Sequence, residues 1–191
     1  MIFKNIAIAL ILLSSAASAN NLSAGYDGIL SPLPACDVPG PLPVEYYPTT
    51  QEWLNSNGGA IASAGRNPKT GRYFIAYDYA AFRTFPLTFQ RWILAHECQH
   101  HQLKHTERPF QPGNRAKVNQ DERAADCAAA KSLANLSKEQ WEEITAVMVD
   151  SNRIDKFTGF PAHINRKQFG YHNDHKGRVK AVKQCLANIR R

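Results

Sequence analysis

The stretch His96-Glu97-Cys98-Gln99-His100 decides how this sequence is interpreted. On an α-helix, residues four apart lie on one face, so His96 and His100 can each direct a ring nitrogen at the same cation. Glu97 lies beside them, where a carboxylate can act as general base on a metal-activated water. The alternative, an amphipathic helix with solvated histidines, is disfavoured because Trp92 lies on the same face. The stretch therefore predicts a hydrolytic zinc site.

A catalytic zinc ion needs a third protein ligand, and three residues after the motif are candidates: His101, His105 and Glu122. His101 projects about 100° away from the metal-facing side of the helix, which makes it a poor ligand. The metzincin pattern also fails, because Leu103 and Thr106 occupy the places of its Gly and its third His. Glu122, on the following predicted helix, is therefore the predicted third ligand.

Glu122 opens the stretch Glu122-Arg123-Ala124-Ala125-Asp126. Asp126 lies four residues after Glu122 and shares its helix face, so it can accept the free ring N–H of a liganding histidine and fix the tautomer of that ring. Two histidines, one glutamate and a water leave an open coordination position, which is typical of a catalytic rather than a structural zinc site.

The surrounding pattern predicts an α+β fold that is mainly α, with about four helices and a short β-hairpin. Residues 60–65 and 72–79 flank a turn-rich segment and predict the hairpin. Apolar residues at helical spacing predict the four helices, at about 86–104, 119–135, 137–148 and 174–189, and a shorter helix is expected near 50–55. The four aromatic residues of the second hairpin strand are Tyr73, Phe74, Tyr77 and Tyr79. They are predicted as core, with a pocket lining as the alternative.

Three segments are predicted along the chain. Residues 1–19 combine the basic Lys4, a short apolar run and a small-x-small site, which predicts a cleaved signal peptide; the run is too short for a membrane anchor. Residues 20–48 are rich in Pro and Gly and are predicted as an extended arm, and 49–191 as one domain. Residues 106–118 are predicted as a loop that could act as a lid. The expected location is the periplasm or the medium.

The formal charge of +7 falls to +6 without the leader, which holds one Lys and no acid. This charge favours an anionic envelope surface as a partner, with a solvated basic surface as the alternative. Nucleic acid is not expected, since the basic residues are scattered.

Four cysteines predict two disulfides in an oxidising compartment. Cys98 points away from the face of the two motif histidines, so a bridge from Cys98 to Cys127 is disfavoured. One bridge is expected to hold the last helix through Cys185, while the two remaining pairings with Cys36 stay open.

The chain resembles the gluzincin metallopeptidases, and most closely the small exported M48-like minimal peptidases. Four stretches look like segments of that family in the same order: an edge strand, the zinc helix, the helix of the third ligand and a closing segment. They are residues 73–78, 94–101, 121–127 and 172–185.

The resemblance implies a zincin-like fold and hydrolysis of peptide bonds, with the 73–78 strand binding the substrate backbone in antiparallel fashion. It implies one Zn²⁺ held by His96, His100 and Glu122, with Glu97 as base and Asp126 as partner of a ligand.

For the oxyanion, the resemblance implies His172 or Arg178 as donor. Asn173 stands where the family commonly has Pro, so Tyr171 and His175 remain rivals.

The sequence therefore predicts a zinc-dependent endopeptidase. The alternatives are a catalytically silent zinc-binding envelope protein or chaperone on the same scaffold, and a metal-free helical interaction module.

Overall fold

The computed structural model describes residues 23–24, 28–38, 43–56, 61–108, 114–150 and 175–189. Its elements are β1 (Ser23–Ala24), β2 (Leu30–Ser31), β3 (Glu45–Thr49), α1 (Gln51–Ser56), β4 (Ala62–Arg66), β5 (Tyr73–Asp78), α2 (Tyr79–Phe82), α3 (Leu87–Gln102), a 3-10 turn (His105–Glu107), α4 (Arg115–Ser132), α5 (Lys138–Val149) and α6 (His175–Ile189). The structure is mainly helical with one small three-stranded sheet, which confirms the predicted α+β class.

The three-stranded sheet has the order β3-β5-β4. Strands β4 and β5 are antiparallel and form the predicted hairpin, whose turn contains Gly71 at a φ of 72°. Strand β3 pairs in parallel with β5 and was not predicted, because Pro48 interrupts it and its residues show no apolar alternation. Tyr73–Asp78 is thus the central strand and not an edge strand, so the resemblance was wrong on this point. Within the described residues, the edge strands are β3 and β4.

Helix α3 runs through the centre of the fold with most of its length buried. Pro86 precedes its first turn, as a residue without a backbone N–H can. Trp92 is 2% exposed and contacts Trp141 of α5 edge to face, with 5.8 Å between the ring centroids. Tyr77 of β5 is also buried, as predicted for a core aromatic. The metal motif therefore lies on the last two turns of a rigidly packed helix.

Helix α4 begins at Arg115, four residues earlier than predicted, because the Asn114 side chain caps it by accepting a hydrogen bond from the Lys117 N–H. Residues 115–118 are therefore helical and not part of the predicted 106–118 loop, of which 109–113 lie outside the described residues. Ala125 of α4 is completely buried, and small side chains of this kind let α4 pack closely on α3.

Helix α5 begins with a capping box, which the Ser137-Lys138-Glu139-Gln140 pattern predicts: the Ser137 hydroxyl accepts from the Gln140 N–H, and the Gln140 side chain accepts from the Ser137 N–H. Helix α6 packs on α4 and α5, with Val182 completely buried. The apolar residues that recur at helical spacing in α5 are buried, namely Trp141, Ile144, Val147 and Met148.

Part of the predicted N-terminal arm, residues 20–48, contributes to the core. Leu30 and Val44 are buried among the core residues. The side chain of Gln90, fully buried on α3, accepts a hydrogen bond from the Leu30 N–H and donates one to the Gly28 carbonyl. These contacts fasten residues 28–30 to the helix that carries the metal motif, so the arm is an integral part of the domain at these positions.

Two disulfides confirm the predicted number of bridges and the exclusion of a bond from Cys98 to Cys127. Cys36 pairs with Cys98, which joins the N-terminal segment to α3, and Cys127 pairs with Cys185, which joins α4 to α6. Two disulfides are compatible with an exported protein.

The predicted leader, residues 1–19, and the segment 151–174 lie outside the described residues. None of the helices that the structure describes is long and apolar enough to cross a membrane.

Candidate metal centre

Three side chains from two neighbouring helices converge on one point: His96 and His100 of α3 and Glu122 of α4. Nε2 of His96 lies 3.1 Å from Nε2 of His100 and 3.2 Å from Oε2 of Glu122. Nε2 of His100 lies 3.4 Å from Oε1 of Glu122. The side chains of His96 and Glu122 are buried, and that of His100 is 13% exposed.

These distances fit a metal ion. Metal–ligand bonds of about 2.0–2.1 Å in tetrahedral geometry separate neighbouring ligand atoms by about 3.3 Å. The two histidine Nε2 atoms lie 3.1 Å apart, and Oε2 and Oε1 of Glu122 lie 3.2 and 3.4 Å from one Nε2 each, which is close to that value. Two imidazoles and one carboxylate are also a donor set that zinc accepts. The residues that the sequence predicts as ligands are therefore brought together in a geometry that can hold the ion.

The second ring nitrogen of His96 faces a buried carboxylate. Its Nδ1 lies 2.9 Å from Oδ1 of Asp126, which is completely buried one helical turn beyond Glu122. Nε and a terminal nitrogen of Arg178, on α6, donate to the two carboxylate oxygens of Asp126 over 2.9 and 2.6 Å. Arg178, Asp126 and His96 thus form a continuous chain that ends at the metal position.

The neighbouring carboxylates change the pKa of His96. Burial alone would lower the pKa of His96, but its contacts with Asp126 and Glu122 outweigh burial and raise the pKa to about 10. Burial alone would raise the pKa of Asp126, yet the charge and hydrogen bonds of Arg178 hold it well below its usual range.

Glu97 is buried on the same part of α3 and is engaged by the sheet. Its Oε2 accepts a hydrogen bond of 2.8 Å from the backbone N–H of Ala64, on β4. Backbone bonds at Ile61 and Asn67 show that the odd-numbered residues of this strand pair with β5. The backbone groups of even-numbered residues such as Ala64 consequently point away from β5, and Glu97 lies along this edge.

The other two histidines near the motif do not belong to the ligand group. His101 is buried on the β5 side of α3, where its Nε2 contacts the Phe74 carbonyl oxygen and its Nδ1 the Thr106 hydroxyl, each at 3.0 Å. It joins helix and sheet, as its predicted orientation away from the metal allows. Nδ1 of His105 lies 3.1 Å from Nδ1 of His100. Burial and the charge of His100 lower the pKa of His105 to about 4.

Of the four residues predicted as oxyanion donors or rivals, the structure describes His175 and Arg178. Tyr171 and His172 lie outside the described residues, and His175 is described only as the first residue of α6. Arg178 is described, and it is paired with Asp126.

Sequence reasoning missed the contacts of Ala64, His105 and Arg178 with the site. One signal could have indicated His105. A liganding histidine usually has a hydrogen-bond partner at its second nitrogen, and His105 is a polar residue close to His100 in the sequence.

The fold and the site together define a mainly helical α+β protein with a His-His-Glu group on two helices that could hold a metal ion. The chain belongs to the peptidase U49 family, whose model matches residues 66–169, just over half of the sequence. This membership supports peptidase activity. The matched range contains the five residues predicted for the metal site, namely His96, Glu97, His100, Glu122 and Asp126. No curated protein and no solved structure matches the chain.

Proposed function

We propose that the protein is a zinc-dependent endopeptidase of the gluzincin type, similar to the small exported M48-like peptidases. The observation that carries this proposal is the convergence of His96, His100 and Glu122 in a member of a peptidase family: the two Nε2 atoms lie 3.1 Å apart, and each has one Glu122 oxygen at 3.2 or 3.4 Å. A zinc ion bound there would polarise a substrate carbonyl and lower the pKa of a water molecule. The remaining tasks fall to the chain's own residues.

Glu97 is the proposed general base. It follows the first ligand directly, is buried, and has its Oε2 oriented by the Ala64 N–H. A carboxylate held in this way can accept the proton of the attacking water and deliver it to the leaving amine. A neutral amide in its place can fill the same space but cannot take up that proton.

Strand β4 is the proposed substrate-binding edge, in place of β5. An extended peptide can add to an exposed strand edge through main-chain hydrogen bonds. Among the described residues β4 pairs on one side only, and the outward-directed groups of Ala62, Ala64 and Arg66 lie on its other side. The contact between Ala64 and Glu97 brings the middle of this edge to the base. A substrate peptide bound along this edge could extend on both sides of the cleaved bond, as an endopeptidase requires.

His172 remains the proposed oxyanion donor, on the resemblance alone. Arg178 would have to exchange a hydrogen bond to Asp126 to act in this way, so we assign it instead to holding Asp126. We further propose that the enzyme acts after export, when both disulfides have formed.

The test combines metal analysis with cleavage of an unfolded protein such as casein. The wild type should bind one zinc per chain, and fragment analysis should show internal cuts that a chelator abolishes. Glu97→Gln should keep the zinc and lose at least about 10²-fold in rate, as expected when a general base is removed. His96→Ala should lose both zinc and cleavage.

Glu142→Gln provides the matched control, since it makes the same chemical change on the surface of α5, where the Glu142 side chain is 66% exposed. It should cleave like the wild type. Full turnover by Glu97→Gln would contradict the mechanism. Stoichiometric zinc without cleavage by the wild type would favour the silent zinc-binding protein, and iron in place of zinc would point to a different chemistry.

A further inference from the structure

We propose that His105 and Asp121 form a second relay that positions the metal ligand His100. This inference rests on the proposed metal site. Nε2 of His100 faces the other two ligands, and its Nδ1 lies 3.1 Å from Nδ1 of His105. Nε2 of His105 in turn lies 3.4 Å from Oδ1 of Asp121. His96 contacts the carboxylate of Asp126 directly. His100 is connected to the carboxylate of Asp121 in a similar way, but through the imidazole of His105.

Proton positions give this relay a direction. Two ring nitrogens 3.1 Å apart can share one hydrogen, so one must donate and the other accept. When Nε2 of His100 offers its lone pair to a metal, a neutral His100 carries its hydrogen on Nδ1 and donates it to His105. His105 then carries its own hydrogen on Nε2, the ring nitrogen that lies 3.4 Å from Oδ1 of Asp121. His105 thus fixes both the tautomer and the orientation of the ligand.

The relay makes the two liganding histidines unequal. His96 contacts a carboxylate directly at 2.9 Å, whereas His100 contacts a neutral imidazole and reaches a carboxylate only through it. A carboxylate partner raises the basicity of a liganding imidazole more than a neutral partner does. His100 is therefore the weaker electron donor of the two.

The backbone brings His105 to its position. If α3 continued past Gln102, a residue five places after His100 would lie about 140° around the helix from it. Instead Lys104 adopts the left-handed conformation, with φ 59° and ψ 27°, and the following 3-10 turn brings His105 back over His100. The hydrogen bond from the Tyr73 hydroxyl to Glu107, 2.8 Å long, fastens this turn to β5.

Asp121 is held from its own helix and from the turn. Lys117, one turn earlier on α4, contacts Oδ1 of Asp121 at 2.6 Å, and Arg108 lies 3.9 Å from Oδ2. Asp121 directly precedes Glu122, so α4 supplies one metal ligand and one relay member from adjacent positions. The His105 and Asp121 side chains are 9% and 20% exposed, which limits competition from water.

Zinc affinity and the cobalt(II) absorption spectrum of purified full-length protein test the relay. His105→Phe keeps a ring but removes the acceptor, and it should weaken zinc binding about 10- to 100-fold and shift the cobalt spectrum. His105→Gln keeps an acceptor oxygen and should recover affinity to within a few-fold of the wild type. Asp121→Asn should weaken binding by about 2- to 10-fold, as the more remote member.

Thermal unfolding in excess chelator separates positioning from folding, since the metal-free variants should unfold close to the wild type. Wild-type affinity in His105→Phe overturns the relay, as does equal weakening in His105→Phe and His105→Gln. If His105→Phe does not fold, Asp121→Asn decides: a wild-type affinity and spectrum there overturn the relay. Failure of the wild type itself to bind metal would instead overturn the proposed function.

Discussion

Replacing Asp126 by Asn probes the contact that joins α6 to the metal site. The substitution keeps the shape of the side chain but removes the charge that two nitrogens of Arg178 contact at 2.9 and 2.6 Å. Removing one partner of a buried ion pair costs about 3–5 kcal/mol, because the other charge is left uncompensated. Asp126 is completely buried, whereas the Arg178 side chain is 15% exposed and keeps some hydration. We therefore expect a loss of about 3 kcal/mol in the free energy of unfolding.

Urea unfolding of the chelator-treated, disulfide-intact protein measures this loss through tryptophan fluorescence. Glu142→Gln is the matched control: its partner Lys138 lies 3.7 Å away, and both side chains are mostly exposed. Such surface pairs contribute at most about 1 kcal/mol. A double-mutant cycle of Asp126→Asn with Arg178→Gln should show a coupling of at least about 1 kcal/mol. An Asp126→Asn loss no larger than that of Glu142→Gln would refute the reasoning.

Acid unfolding gives the same substitution a second readout. The pKa of Asp126 in the folded protein is held below its unfolded value of about 3.9. Its contribution to stability is therefore fully present above about pH 4 and is lost as the pH falls further. The wild type should lose more free energy of unfolding between about pH 5 and pH 2.5 than Asp126→Asn does. Parallel pH curves for the two proteins would count against the contact.

Three further predictions concern the metal, the sheet and a helix cap. Zinc affinity, measured by chelator competition, should rise about tenfold per pH unit between about pH 7 and pH 9. The reason is that binding displaces a proton from His96, whose pKa is raised to about 10. A plateau above about pH 7 would show that the pKa of His96 is not raised. Gly65→Ala would bring Cβ into a clash with the Phe74 ring and should cost about 1–3 kcal/mol in urea unfolding, but clearly less in a Phe74→Leu background. Equal costs in both backgrounds would contradict the clash. Ser137→Ala removes the cap of α5 and should cost about 1 kcal/mol in the same assay, and an unchanged midpoint would show that the cap contributes little.

Two spacings within the candidate metal site could be predicted because each of them is local. His96 and His100 are four residues apart on one helix, and Glu122 and Asp126 repeat that spacing on the next. Helix geometry alone therefore decides which side chains share a face. The hairpin and the capping box at Ser137 were predictable for the same reason, since a few adjacent residues determine each of them.

Contacts between distant segments could not be predicted in this way. Strand β3 pairs with β5 across about thirty residues, and neither its composition nor its periodicity marks it as a strand. Arg178 and Asp126 are 52 residues apart, and the sequence gives no sign that the two side chains pair. His105 reaches His100 only because Lys104, not a glycine, adopts a left-handed conformation, which sequence patterns rarely indicate.

The two disulfides bear on the order in which the site is completed. Cys98 directly follows Glu97, and Cys127 directly follows Asp126. The partner of Cys98 lies 62 residues earlier in the chain, and the partner of Cys127 lies 58 residues later. During synthesis the three ligands leave the ribosome before Arg178 and Cys185 do. A chain that is still being synthesised therefore contains His96, His100 and Glu122 before it contains the cysteine that links α6 to α4.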